Sequence, residues 1–272
     1  MTNWALLKPC TIKTQAVTWD TALTPDSTAH TKSSWAEIVS SVPFNSYGII
    51  VQMTRTGDDE RFLFDIGIGG SGSEEVLMSN FGYTIPTWVN NYMSYYIHCP
   101  ILVPSGVRLA GRSQCSAGSG GALYVKIYYL GTTLIGGLGF SKIISFGENT
   151  GTTNGTEVDP GGTVDTKGSW VEFTSSSPER IKAIAMMPMD DNAVSAAALW
   201  TMDIGIGGAG SEQVIIPDWL WCSTSASDKV SPFNTPFFPV DIPVGTRIAV
   251  RSKCDINDTT DRKFPIILYG VV

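Results

Sequence analysis

The sequence predicts an all-β protein of two tandem β-sandwich domains, jelly-roll-like and related by an internal duplication. Three observations carry that expectation. Blocks of sequence occur twice in the same order, short β-branched and aromatic runs alternate with turn signals, and no window keeps the i, i+3, i+4, i+7 apolar spacing of a helix. The 272 residues are also enough for two units that each bury a core.

The first recurring block is Thr31-Lys32-Ser33-Ser34-Trp35-Ala36-Glu37, which returns as Thr166-Lys167-Gly168-Ser169-Trp170-Val171-Glu172, 135 residues on. The second runs from Asp65 to Glu74 as Asp-Ile-Gly-Ile-Gly-Gly-Ser-Gly-Ser-Glu and returns from Asp203 to Glu212, 138 residues on. The third runs from Ile101 to Cys115 and returns from Val240 to Cys254, 139 residues on. A drift of a few residues needs only small loop insertions, so the domains are expected at 1–131 and 132–272. The Gly-, Thr- and Asn-rich stretch from Gly147 to Gly162 aligns with the region before Trp35 and is expected to be a surface loop inside the second domain.

Within a domain the elements follow in order. Trp35 and Trp170 stand just before a strand in both copies and are expected to be buried core anchors. Tyr47 to Met53 and Arg61 to Ile68 are β-branched and aromatic runs of strand length. Asp65-Ile66-Gly67-Ile68 alternates as a strand, and Gly69-Gly70-Ser71-Gly72 breaks it with residues that tolerate positive φ. Glu74 then leads into Val76-Leu77-Met78, so the block reads as a glycine-turned hairpin. Pro104-Ser105-Gly106 and Pro243-Val244-Gly245 turn into a strand that puts Arg108 and Arg112, or Arg247 and Arg251, on one face. Their natural partners are the repeated acids Asp65 and Glu74, or Asp203 and Glu212. Roughly seven to nine strands fit each domain at the usual spacing of a sandwich.

Composition narrows the function classes. A net charge of −7 with no basic run argues against a nucleic-acid backbone as partner. No apolar stretch reaches membrane-span length, and the opening Met1 to Cys10 has neither the basic nor the apolar region of a signal peptide, so the expectation is a chain made in the cytoplasm. Cys10, Cys99, Cys115, Cys222 and Cys254 are odd in number, form no CxxC pair and are expected to be buried thiols.

Catalytic arrangements fare poorly. His30 and His98, the only histidines, stand at non-equivalent places, which leaves a nucleophile without a repeated base. The Asp-to-Glu glycine block lacks the dense oxygen ligands of a calcium loop and precedes no helix that would cradle phosphate. Asp58, Asp59, Glu60, Asp190 and Asp191 read as solvated hairpin tips rather than glycosidase carboxylates. No enzyme activity, cofactor or metal is expected. The copies differ in aromatic segments that hold Trp88, Tyr92 and Tyr95 in one and Trp219, Trp221 and Phe237 in the other. Clustered on loops, such rings stack on sugars or anchor a protein interface; alternatively, they close one end of the sandwich.

The Asp-Ile-Gly-Ile-Gly-Gly-x-Gly-Ser-Glu block, with the Ile-Pro-x-Gly-x-Arg-Ile-Ala-x-Arg strand clearest from Ile242 to Arg251, resembles modules of structural proteins in tailed-phage virions. The first copy departs from it at Leu102-Val103-Pro104-Ser105 and Gly111. The resemblance covers the middle and end of each copy and implies a non-enzymatic virion component. The leading form is a capsid decoration or head-fibre protein bound to the major capsid protein or to other virion proteins, as a homo-oligomer with a trimer as the expected state. The alternative it implies is a fibre tip that recognises a host-surface glycan or receptor through the aromatic loops.

Overall fold

The computed structural model describes residues 21–55, 60–84, 95–118, 121–130, 140–189, 198–223, 236–256 and 263–272. Gly131, after which the domain boundary is expected, lies outside them. Every regular element of any length among these residues is a strand, so the protein is all-β.

Eight strands come from the first half: β1 (Thr21–Leu23), β2 (Ala36–Val39), β3 (Ile49–Arg55), β4 (Arg61–Ile68), β5 (Glu75–Thr84), β6 (Tyr95–Cys99), β7 (Leu109–Cys115) and β8 (Leu123–Tyr129). Their neighbour orders are β1-β8-β3-β6 and β2-β7-β4-β5. Ten follow: β9 (Ile143–Phe146), β10 (Glu148–Asn149), β11 (Asn154–Val158), β12 (Val171–Thr174), β13 (Ile181–Pro188), β14 (Ala198–Ile206), β15 (Gln213–Ser223), β16 (Phe238–Ile242), β17 (Ile248–Cys254) and β18 (Phe264–Val271). With β9 and β10 set aside, the order is β11-β18-β13-β16 and β12-β17-β14-β15, the same order strand for strand.

Alternation explains which face each strand buries. In β3 and β8 every second residue is buried, which sends Ile49, Val51, Met53, Val125 and Ile127 inward. Phe62, Phe64 and Ile66 of β4 meet them in one core. In the second half Ile184, Met186, Ile266 and Leu268 meet Trp200, Met202, Ile204 and Val250 in another. The turn after β4 needs Gly69 at φ +117, and its counterpart after β14 needs Gly207 at φ +108, backbone conformations that side chains disfavour.

The halves are not beads on a string. Strand β18 is buried along its whole length. Phe264, Ile266 and Leu268 enter the second core, while Ile267, Tyr269 and Val271 point the other way and pack with Ala183, Ala185 and Met187 onto the first. Such two-faced burial is why β18 reads as a near-continuous apolar run. Tyr269 stacks on Phe81 at 4.2 Å, accepts the Gly82 N–H at 2.9 Å and donates to the Asn80 carbonyl at 3.1 Å. Gly82 leaves room for this contact, since a Cβ there would displace the Met189 thioether. Strand β9 pairs antiparallel with β18 and parallel with β5 at Met78 and Ile143, so one sheet runs through both halves.

One expectation is corrected at this joint. The stretch from Gly147 to Gly162 is not a surface loop: it holds β10 and β11, and β11 pairs with β18. Its loop-like glycine content has a packing cause, since a Cβ on Gly155 would lie 2.4 Å from the Ile266 carbonyl. Thr153, fully buried at φ +54, is held by Gln114 Nε2 at 2.9 Å and His30 Nδ1 at 2.8 Å, and Gln114 also donates to the Thr150 carbonyl at 2.7 Å.

Candidate functional site

The repeated charged residues converge on the outer face of each β2-β7-β4-β5 type sheet. Asp65, on β4, accepts Lys32 Nζ at 2.8 Å, Arg112 Nε at 2.7 Å and the Asn80 N–H at 2.8 Å. The Arg112 guanidinium lies 4.5 Å over the Trp35 ring. That ring covers Gly67, where a Cβ would come within 2.8 Å of it. Arg108 completes the row by binding Glu37 at 3.0 Å and Glu74 at 2.8 Å. Glu74 in turn accepts the Gly72 N–H at 3.0 Å, so the acid closes its own glycine turn.

The second half repeats the arrangement contact for contact. Asp203 accepts Lys167 Nζ at 2.8 Å, Arg251 Nε at 2.9 Å and the Asp218 N–H at 2.9 Å. Arg251 lies 4.5 Å over Trp170, which covers Gly205, and Arg247 binds Glu172 at 2.6 Å and Glu212 at 2.9 Å. One difference is that Asp218, where the first half has Asn80, adds a 2.9 Å bridge to Lys167.

The electrostatics follow from these contacts. Burial alone would raise the Asp65 pKa, but Lys32, the Asn80 N–H and Arg112 outweigh it and hold the carboxyl below the usual range. Asp203 is likewise held low against its burial by the Asp218 N–H, Lys167 and Arg251. The Arg108 hydrogen bond lowers Glu74, and Glu212 is lowered despite desolvation by backbone N–H groups and Arg247. Desolvation lowers the Lys32 pKa even beside its aspartate. A general acid or base works best with a pKa near the working pH. These carboxylates are pinned as anions by cations that they already share, so the clusters clamp strands together.

Trp35 and Trp170 therefore correct an expectation. Both are half-buried on the outer face, each sandwiched between a glycine and an arginine, and neither is a core anchor. Periodicity assigns them a face but does not say which face is the core. Lys32, Lys167, Glu37 and Glu172 are members of the clusters that sequence reasoning did not single out, although their presence in the first recurring block was the available signal.

The aromatic candidates separate. Trp88 and Tyr92 lie outside the described residues. Trp221 sits on β15 with 7% exposure, against Phe264 at 4.1 Å and Trp200 at 5.7 Å. Trp219, on the same strand, is half-buried with its edge to Phe238 at 5.1 Å. Tyr95, on β6, meets Tyr83 edge-on at 5.7 Å, and Phe237, just before β16, packs on the first core. These four occupy strands or the joint rather than a loop cluster, because their alternation continues that of the adjoining strands.

Cysteine and acid expectations also change in part. Cys99, Cys115 and Cys254 are buried, Cys222 is exposed on β15, and Cys10 lies outside the described residues. Burial pushes the Cys115 pKa up to about 11, which keeps it a thiol, and its Sγ–H points to Glu60 at 3.4 Å. Glu60 is not a solvated tip, since it pairs with Arg55, whose side chain is 3% exposed and lies 4.5 Å over Phe62. Asp58, Asp59, Asp190 and Asp191 lie outside the described residues. His30 is engaged by Thr153, and burial lowers the pKa of His98 on β6. Among the described residues no three His, Cys, Asp or Glu side chains gather as a metal site.

No protein-family model matches the chain, and the curated proteins contain no match. The class of the protein rests on its fold: an all-β protein of facing sheets with two cores and a pair of like-built outer clusters.

Proposed function

We propose that the chain is a non-enzymatic structural protein of a tailed-phage virion, a capsid decoration or head-fibre protein, made of two jelly rolls that arose by duplication. Strand order is the observation that carries this reading. Eight strands ordered 1-8-3-6 and 2-7-4-5, with a core between, support the jelly-roll reading, an architecture of many viral capsid and lectin domains. The repeated acids and arginines support a structural role because they bind each other. The same fold serves lectins, but Trp219 and Trp221 turn their rings onto Phe238 and Phe264, which weakens the sugar-stacking alternative.

The test is to add the purified chain to empty capsids and measure binding and resistance to heat. Saturable binding that raises the capsid melting temperature is the expected result. Capsids that neither bind nor change, together with specific binding on a glycan array, would overturn the reading in favour of a receptor-binding tip.

A further inference from the structure

Strands β5 and β15 are built alike but have different neighbours. Met78 of β5 faces Ile66, and Ile216 of β15 faces Ile204. Two residues on, Asn80 at φ +48 and Asp218 at φ +46 donate their N–H groups to Asp65 and Asp203. Position by position, Ser79 therefore matches Pro217, Asn80 matches Asp218 and Gly82 matches Leu220.

In the first half these three positions receive the second half. Strand β5 takes β9 along its outer edge, parallel, at Met78 and Ile143. Ser79 Oγ accepts the Ser145 N–H at 3.0 Å and lies 3.0 Å from Ser145 Oγ. The Asn80 amide donates to Ser145 Oγ at 3.3 Å and to Glu148 Oε1 at 3.1 Å, and Gly82 gives its N–H to Tyr269. An edge strand recruits a neighbour through unpaired N–H and C=O groups, and proline or charge on the edge opposes it.

Strand β15 carries both. Among the described residues it pairs with β14 alone, so its other side is an edge along 11 residues. Pro217 is exposed, has no N–H to give and has no side-chain oxygen to stand in for Ser79 Oγ. Asp218 turns back to its own half, meeting Lys167 Nζ at 2.9 Å and accepting the Thr201 hydroxyl at 3.1 Å. It would also set a carboxylate against any residue placed like Glu148. Leu220, 63% exposed, puts a side chain where Gly82 has none. The charges agree: Glu148 acts on Lys32 from across the joint, whereas Asp218 serves Lys167 from β15 itself, so the second cluster is complete without a partner.

We propose that Pro217 and Asp218 close the outer edge of β15 to strand addition. The contact by which β5 takes up β9 is thereby confined to the first half, and β15 is kept from pairing with another copy of this chain. The inference rests on the matched registers of β5 and β15 and does not need the virion reading.

The experiment uses the full chain. Pro217→Ser with Asp218→Asn gives β15 the side chains that β5 uses. In sedimentation velocity this variant is expected to gain mass over the parent as concentration rises, while amide groups of β15 that exchange freely in the parent become protected. Pro217→Ser alone replaces it if the loss of the Lys167 bridge lowers the melting temperature. A variant that sediments like the parent up to about 200 µM, or parent β15 amides that themselves gain protection with concentration, overturns the proposal. The reciprocal change, Asn80→Asp, sets a carboxylate against Glu148 and should speed amide exchange at Ser145 by about two- to fivefold. Adding Glu148→Gln should restore the slower rate. Exchange that Asn80→Asp leaves unchanged, or that Glu148→Gln does not restore, overturns the assignment of these positions as the ones that admit or refuse a strand.

Discussion

Asp65→Ala takes one carboxylate from the middle of the first cluster and leaves Lys32, Arg112 and the Asn80 N–H without the acceptor they share. Asp65 is 3% exposed, so its partners lose a buried anion. Breaking one side of a buried pair costs about 3–5 kcal/mol. The 32% exposure of the Arg112 side chain lets water recover part of this, which favours the lower end, about 3 kcal/mol. At about 2–4 °C per kcal/mol for a chain near this size, the melting temperature falls by roughly 6–12 °C. Asp203→Ala is expected to cost less, because Asp218 still reaches Lys167 at 2.9 Å and keeps one cation paired. Calorimetric melts at pH 7 of the parent and both variants decide the matter. A fall of under about 2 °C for Asp65→Ala, or a larger loss for Asp203→Ala, would refute the reasoning that these clusters clamp the sheets.

Stability is expected to depend on acid through the same residues: Asp65 and Asp203 have depressed folded pKa values, so their contribution is full above the unfolded value near 3.9 and is lost as pH falls further. Urea midpoints should drop steeply below about pH 4 in the parent and more shallowly in Asp65→Asn. Trp170→Ala should cost about 1–3 kcal/mol, less than a core tryptophan, since it removes a half-buried ring and one stacked guanidinium; a loss near 5 kcal/mol in chemical denaturation would show that the ring is a core anchor after all. Gly207→Val places a β-branched residue at φ +108 and should lower the melting temperature by several degrees, whereas Val at the exposed Val244 turn position is already tolerated. Tyr269→Phe keeps the stack on Phe81 but removes both hydrogen bonds across the joint, costing about 1–3 kcal/mol and speeding amide exchange at Gly82; unchanged exchange there would count against the joint as described.

The strands were legible where alternation and turn chemistry agree. Ile49 to Met53 and Asp65 to Ile68 alternate, and Gly69 and Gly72, which end the second run, take the positive φ that their residue type permits. The pairing of Arg108 with Glu74 and of Arg112 with Asp65 was also readable, since residues two apart on a strand share a face and the acids recur with them. Trp35 and Trp170 were misread for a complementary reason: a large ring beside a strand predicts burial, yet here a glycine on the outer face leaves the space that the ring fills. Trp219 and Trp221 looked like a loop because Pro217 and the polar residues around them break the apolar pattern, while the backbone continues through β15.

By itself the sequence determined the all-β class, the recurrence of its blocks, the glycine turns and the partners in the charged rows. These depend on period, spacing and residue type along a few neighbouring positions, and all of those are written into the chain locally. Only the tertiary structure decided which outer face is covered and which is open. Tyr128 and Tyr269 occupy matching positions on like strands, but one remains half-exposed on an outer sheet while the other is buried in the joint. The apolar run of β18 against the alternation of β8 hints that Tyr269 is covered, but which residues cover it, Phe81, Gly82 and Asn80, is set by strands brought together across the fold.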